Sequence, residues 1–311
     1  MTAAAAQERT MAAPGPAGPL QGTLLIPAPR ADGKAPPVVL IIPGSGPTDR
    51  DGNNTYGVRA ATYRLLAEDL AGRGVASVRI DKRGLFASAG AVADPNAVTI
   101  PDYADDVHAW VKAIRSETGA ACVWVLGHSE GALVALAAAQ DASSGICGLV
   151  LVAGAGRPLG DVLREQLRAN PAMAPLLPQA LAAISALEAG QRVDASTLDP
   201  SLLPLFAPQV QGFLISAFSY DPAKLLAGYR GPALILQGGR DLQVTTADAR
   251  RLAAANGTAR LVLLPNANHV LKAVATDERA ANIATYADPA LPLADGAGAA
   301  IADFVAEAAG R

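Results

Sequence analysis

Between residues 38 and 152 four short runs rich in apolar and β-branched residues, Val38–Ile42, Val75–Ile80, Cys122–Leu126 and Cys147–Val152, are separated by segments with helical spacing. Runs of this length suit strands buried on both faces. In Arg59–Gly72 the apolar residues Tyr63, Leu66 and Leu70 recur at helical intervals, and Gly72 and Gly74 suit the C-terminal cap. Tyr103, Val107, Val111 and Ile114 mark one face of a second helix that starts near Pro101, where a first turn tolerates proline. Such alternation calls for crossover connections, hence an α/β fold with a mostly parallel central sheet and helices on both faces.

The alternation breaks after Val152. From Gly156 to Arg230 no strand is legible, prolines are frequent, and leucine-rich helical pieces occur at Leu176–Leu187 and Gln209–Phe218. A helical cap inserted above the sheet is expected there. Strand and helix resume with Ala233–Leu236, Thr246–Ala255 and Arg260–Leu264, and a helix near Ala299–Ala308 closes the chain. At the other end Gly22–Ile26 reads as one strand stopped by Pro27 and Pro29, with Asp32-Gly33-Lys34 as a turn. Residues 1–20, rich in Ala, Pro and Gly and without a basic or compact apolar region, are expected to be a disordered leader. The organisation expected is a leader (1–20), a core built from 21–155 and 231–311, and a cap (156–230).

A chain of 311 residues with 51% hydrophobic and 17% charged side chains has ample material for one large core. A net charge of −3, without basic clusters interleaved with aromatics, argues against a nucleic-acid partner. No apolar run approaches the roughly 20 residues of a membrane span. The folded part is therefore expected to be soluble, cytoplasmic or, if a signal has been removed, periplasmic or secreted; the oligomeric state is not legible. Cys122 and Cys147 each open an expected strand and are read as buried free thiols, because a disulfide between parallel neighbours is uncommon. No metal-ligand spacing is present. Gly154-Ala155-Gly156 follows a strand, but position 159 is not glycine and Pro158 intrudes, so no nucleotide cofactor is expected.

In parallel sheets ligands bind beyond the carboxyl ends of the strands. Gly127-His128-Ser129-Glu130-Gly131 lies there, between the strand Cys122–Leu126 and an apolar helix at Gly131–Ala139. Glycines two positions on either side of Ser129 allow the tight strand-to-helix turn that lifts a serine hydroxyl above the sheet edge. A serine needs a base to become nucleophilic, and the base needs a carboxylate to fix its tautomer. Of three histidines, His108 falls inside a helix and His128 is turned away by the elbow, which leaves His269 after the last strand. Asp241 follows Ala233–Leu236; its competitor, Asp248, falls inside a helix. For the oxyanion, Glu130 N–H is one donor. The second is sought in the Pro43–Asn53 loop, Ser45 N–H first and Gly44 or Gly46 after it. Asp49-Arg50-Asp51 in that loop reads as a locally paired turn, and Asp81-Lys82-Arg83 as a turn pinned by Arg83 with substrate contact open. Phe206, Phe213 and Phe218 in the insertion, with Gly44 and Gly46 of the Pro43–Asn53 loop, are candidate pocket residues.

From about Gly22 onward the chain resembles the α/β-hydrolase superfamily. Its PGSGPTDRDGN (43–53), DKRG (81–84), GHSEG (127–131), QGGRDLQV (237–244) and NHVLK (268–272) are similar to the bacterial esterase and serine-aminopeptidase-like group. The resemblance implies a Ser129–Asp241–His269 triad, an oxyanion hole after the third family strand, a helical cap and no cofactor. One departure is Leu85-Phe86-Ala87-Ser88, where the family commonly has G-x-S after its D-x-R-G turn. The function expected is a serine hydrolase that cleaves small-molecule carboxylic esters of short to medium acyl chains through an acyl-enzyme on Ser129. Thioester or amide hydrolysis shares the same site, and a non-catalytic binding protein on this scaffold is the reading from another class.

Overall fold

The computed structural model describes residues 5–29, 33–142 and 144–309; the first four residues of the expected leader, and Asp32 of the expected turn, lie outside the described residues. The strands are β1 (Gln7–Ala13), β2 (Leu20–Ile26), β3 (Val38–Ile42), β4 (Ala76–Ile80), β5 (Val123–His128), β6 (Ile146–Val152), β7 (Ala233–Gly238) and β8 (Arg260–Leu264). One sheet contains them all, in the order β1-β2-β4-β3-β5-β6-β7-β8. From β4 to β8 the neighbours are parallel, while β1 and β2 form an antiparallel edge.

The helices are α1 (Thr62–Gly72), α2 (Ile100–Thr118), α3 (Glu130–Ala138), α4 (Leu159–Arg168), α5 (Leu177–Glu188), α6 (Leu203–Phe206), α7 (Pro208–Phe218), α8 (Pro222–Gly228), α9 (Thr246–Ala255), α10 (Arg279–Ala284) and α11 (Ala297–Ala309). Their two layers explain why the central strands are apolar throughout. Val38, Leu40, Ile42 and Val125 face one layer with Trp110 of α2 and Leu133 of α3. Val39, Ile41, Trp124 and Leu126 face the other, with Leu66 and Leu70 of α1 and Ile301 of α11. The two-residue period of a strand sends alternate side chains into separate cores. Thr99 and Asp102 form a capping box at the start of α2, and Gly119, with φ of 71°, ends it.

Helices α4 to α8 fill the interval between β6 and β7, and α5, α6 and α7 enclose a small core of their own around Ile184, Leu187 and Phe206. Among the described residues no single helix is long and apolar enough to cross a membrane, and no cluster of His, Cys, Asp and Glu suits a metal ion.

Two expectations are corrected. The leader is not disordered over its described part: Gln7–Ala13 is an edge strand paired with β2 along its whole length. Most of its side chains are exposed, with Met11 and Ala13 buried, so its apolar signal is weak. Pairing and the ion pairs Arg79–Glu8 and Arg9–Glu117 tie it down instead. The cysteines are not free thiols: Cys122 and Cys147 form a disulfide with Cα atoms 5.1 Å apart. The pairing passes from Val123 with Ile146 to Trp124 with Gly148. This irregularity leaves Cys147 without a ladder partner on β5, at the point where it meets Cys122.

Candidate active site

Ser129 sits between β5 and α3 with φ of 55° and ψ of −117°, a conformation that costs a non-glycine residue backbone energy. Its surroundings enforce it. A Cβ on Gly127 would lie 2.0 Å from the Gly131 carbonyl oxygen, and one on Gly131 would lie 2.5 Å from that of Ile42. Only glycines let strand, turn and helix approach so closely. Glu130 opens α3, so its N–H has no acceptor within the helix and remains available beside the hydroxyl.

The loops after β7 and β8 bring Asp241 and His269 together. Oδ2 of Asp241 accepts from Nδ1 of His269 at 2.8 Å and from Nε2 of Gln237 at 3.1 Å. Its Oδ1 accepts the N–H groups of Gln243 and Val244 at 2.7 and 3.0 Å. Burial pushes the Asp241 carboxyl up, but His269 and these N–H donors outweigh it and hold the pKa below the ordinary carboxylate value. Nδ1–H of His269 is thereby committed to Asp241. The competing Asp248 lies in the first turn of α9, where it caps Thr245 and binds Arg157 Nε at 2.9 Å. His108 is on α2 with Nε2 against the Ala138 carbonyl.

The side chain of His128 is engaged at both ring nitrogens. Its Nε2 contacts the carbonyl oxygen of His269 at 2.8 Å, and its Nδ1 contacts the Tyr63 hydroxyl at 2.9 Å. The same hydroxyl accepts the Gly44 N–H at 2.9 Å. Gly44 is thus removed from the candidate oxyanion donors, because its N–H is already used. Ser45 and Gly46 line the cavity beside Ser129, and among the described residues the Ser45 N–H meets no acceptor.

The rest of the Pro43–Asn53 loop is only partly the locally paired turn expected. Asp49 accepts the N–H groups of Asp51 and Asn53, but Arg50 reaches Asp81 and Asp51 reaches Arg79, both from the β4 segment. Arg83 pins the turn after β4 through Asp102 and Asp106. Between them Lys82 donates to Gly44 O at 2.8 Å and to Glu130 Oε1 at 3.0 Å.

A cavity of about 520 Å³ opens over Ser129. From the core it is lined by Ser45, Lys82, Tyr103 and Leu133, and from the insertion by Leu159, Leu163, Leu205, Phe213 and Leu214. Phe213 meets the edge of Tyr103 with ring centroids 6.0 Å apart. Of the expected pocket residues Gly46 and Phe213 line the cavity, whereas Gly44, Phe206 and Phe218 do not; Gly44 bonds the Tyr63 hydroxyl, and the two phenylalanines belong to the insertion's own core. Sequence reasoning did not find Tyr63, because its helical spacing accounts for it as a core residue. Lys82 had one usable signal, its place just beyond the carboxyl end of a strand.

A doubly covered, mostly parallel sheet whose fifth strand enters a helix through a serine turn defines the α/β-hydrolase fold. The profile of the serine aminopeptidase S33 family (Hydrolase_4) matches residues 55–272, and the chain belongs to that family. It is 29% identical over 231 residues to esterase EstD of Thermotoga maritima, an alignment covering 74% of this chain and 52% of that protein. The chain therefore spans about half the length of the curated relative it matches. Among solved structures, Est1E from Butyrivibrio proteoclasticus has a TM-score of 0.58 at 16% identity, covering 97% of this chain and 99% of that one. A thermophilic esterase from Thermogutta terrifontis has a TM-score of 0.57 at 18% identity, with coverage of 97% and 99%. These two likenesses concern the fold.

Proposed function

We propose that the chain is a cofactor-independent carboxylesterase that cleaves small-molecule esters of short to medium acyl chains through an acyl-enzyme on Ser129. The observation that carries this is the 2.8 Å bond from His269 Nδ1 to the buried carboxylate of Asp241, together with a serine held at a strained turn in the wall of an apolar cavity. Ser129 Oγ attacks the ester carbonyl while Nε2 of His269 takes its proton. The carbonyl oxygen becomes an oxyanion received by Ser45 N–H and Glu130 N–H. Collapse of the tetrahedral species breaks the bond to the alcohol oxygen, which leaves with the proton from His269. Water repeats the sequence on the acyl-enzyme and releases the acid.

The family description names an aminopeptidase, and EstD is named an esterase. Peptide cleavage at a free amino terminus calls for an unpaired carboxylate to receive the substrate ammonium. The only acidic side chain lining the cavity among the described residues is Glu130, which Lys82 already holds. This favours esters. Ser129→Ala should abolish p-nitrophenyl ester turnover and fluorophosphonate labelling with the fold unchanged, since loss of the hydroxyl opens no core cavity. Labelling that persists in this variant refutes the proposal.

A further inference from the structure

Lys82 and Glu130 form a buried ion pair against the nucleophile turn, with each side chain only 4% exposed. Burying two charges is a poor route to stability, because well-packed apolar residues often do as well or better. Something other than stability should account for the pair, and its geometry supplies a reason. Nζ of Lys82 donates to the carbonyl oxygen of Gly44 and to Oε1 of Glu130, while the ring of Tyr103 covers a third side with its centroid 5.2 Å away. Burial opposes the ammonium charge, but Glu130 and Tyr103 outweigh it, so Lys82 stays protonated. With these neighbours in place it is not a free cation awaiting a substrate carboxylate.

The peptide joining Gly44 to Ser45 is planar and trans, so its C=O and N–H point in opposite directions. Holding the Gly44 oxygen on Lys82 therefore aims the Ser45 N–H. The preceding peptide is held as well, through the bond from Gly44 N–H to Tyr63. Glu130 closes the set, since its side chain grips Lys82 while its own N–H is the other oxyanion donor. A cation on the carbonyl also polarises the amide and strengthens its N–H as a donor.

We infer that Lys82, held by Glu130, is a positioning residue that aims the Ser45 N–H and locks it in register with the Glu130 N–H, so that the two form one rigid oxyanion hole. This rests on the proposed role of Ser129. It assigns to the charged pair a task in the transition state rather than in substrate binding.

The test compares Lys82→Met, the double variant Lys82→Met/Glu130→Leu, and Ser129→Ala. In Lys82→Met kcat on p-nitrophenyl esters should fall on the order of 10- to 100-fold, less than or equal to the loss from removing a donor outright, with KM within twofold. Affinity for an aryl trifluoromethyl ketone, which Ser129 converts into a tetrahedral oxyanion, should fall by the same factor. Affinity for the corresponding methyl ketone should not change. The double variant leaves no unpaired buried charge and should recover wild-type Tm while retaining the kcat deficit. If Lys82→Met does not fold, the double variant carries the same comparison. Recovery of kcat along with Tm would show a merely structural pair, and a rise in KM at constant kcat would show a substrate contact; either overturns the inference. Failure of the underlying reading is separate, because it appears as turnover and fluorophosphonate labelling in Ser129→Ala whatever the Lys82 variants do.

Discussion

The imidazole of His128 bonds the backbone of His269, with Nε2 2.8 Å from its carbonyl oxygen. A carbonyl only accepts, so Nε2 carries the proton, and Nδ1 accepts from the Tyr63 hydroxyl. The residue before Ser129 thus joins the His269 loop to the Gly44 loop through one tyrosine. The bond from Tyr63 requires an unprotonated Nδ1, and hence a neutral ring.

Burial, reinforced by the neighbouring His269, lowers the His128 pKa to about 3. An unfolded histidine titrates near 6.5. Between these values the unfolded chain binds a proton that the folded chain refuses, so stability rises with pH there and is lost as pH falls, by up to about 1.4 kcal/mol per unit. In His128→Gln, urea unfolding followed between pH 6 and 4 should show a slope shallower by up to one proton. Equal slopes in the two proteins would sink this account.

Asp241→Asn should lower kcat by roughly 10³- to 10⁴-fold, because the amide favours the wrong His269 tautomer. The loss should be smaller than that of Ser129→Ala. Asp248→Asn removes part of the cap of α9 and weakens the Arg157 contact, which should cost about 1 kcal/mol of stability and leave kcat within a few-fold. Steady-state kinetics with thermal melts on both variants makes the comparison, and the reverse ranking would reassign the acid.

Phe213 and Phe206 lie one helix apart but face different volumes. Removing the Phe213 ring from the cavity wall should move the acyl-length optimum toward longer chains, since each accommodated methylene is worth about 0.8 kcal/mol. Phe206→Ala empties a fully buried site in the insertion core and should cost about 3 to 5 kcal/mol without moving that optimum. A series of p-nitrophenyl esters of increasing acyl length reads both effects. An unchanged profile in Phe213→Ala would shift attention to the Pro43–Asn53 loop as the pocket wall.

Most of the sheet was legible because burial on both faces leaves an unbroken apolar run, as in Val38–Ile42, which no solvent-facing segment needs. The serine turn was legible for a related reason: Gly127 and Gly131 stand where any Cβ would strike backbone. Asp241 and His269 could be sought because both follow strands at the same sheet end. What escaped depends on partners distant in sequence. Residues Gln7–Thr10 are exposed and gain their strand from β2, and Cys147 meets Cys122 only through a local slip in register. Tyr63 satisfies its helix through its ring, so nothing in the spacing reveals the two bonds made by its hydroxyl. Lys82 looks like a turn residue until the β3 loop and the start of α3 are folded around it.

The Cys122–Cys147 bridge closes 25 residues of chain that contain all of β5, the serine turn and α3. It joins these strands at the end of the sheet opposite Ser129, so it grips the root of β5 and leaves the tip that carries Ser129 untouched. Thiol reduction would therefore act on how long the folded protein survives rather than on how its site is arranged. A cross-link of this span withholds conformational freedom from the unfolded chain worth on the order of 3 kcal/mol. An environment that keeps thiols reduced would yield a protein with the same site and a shorter working life.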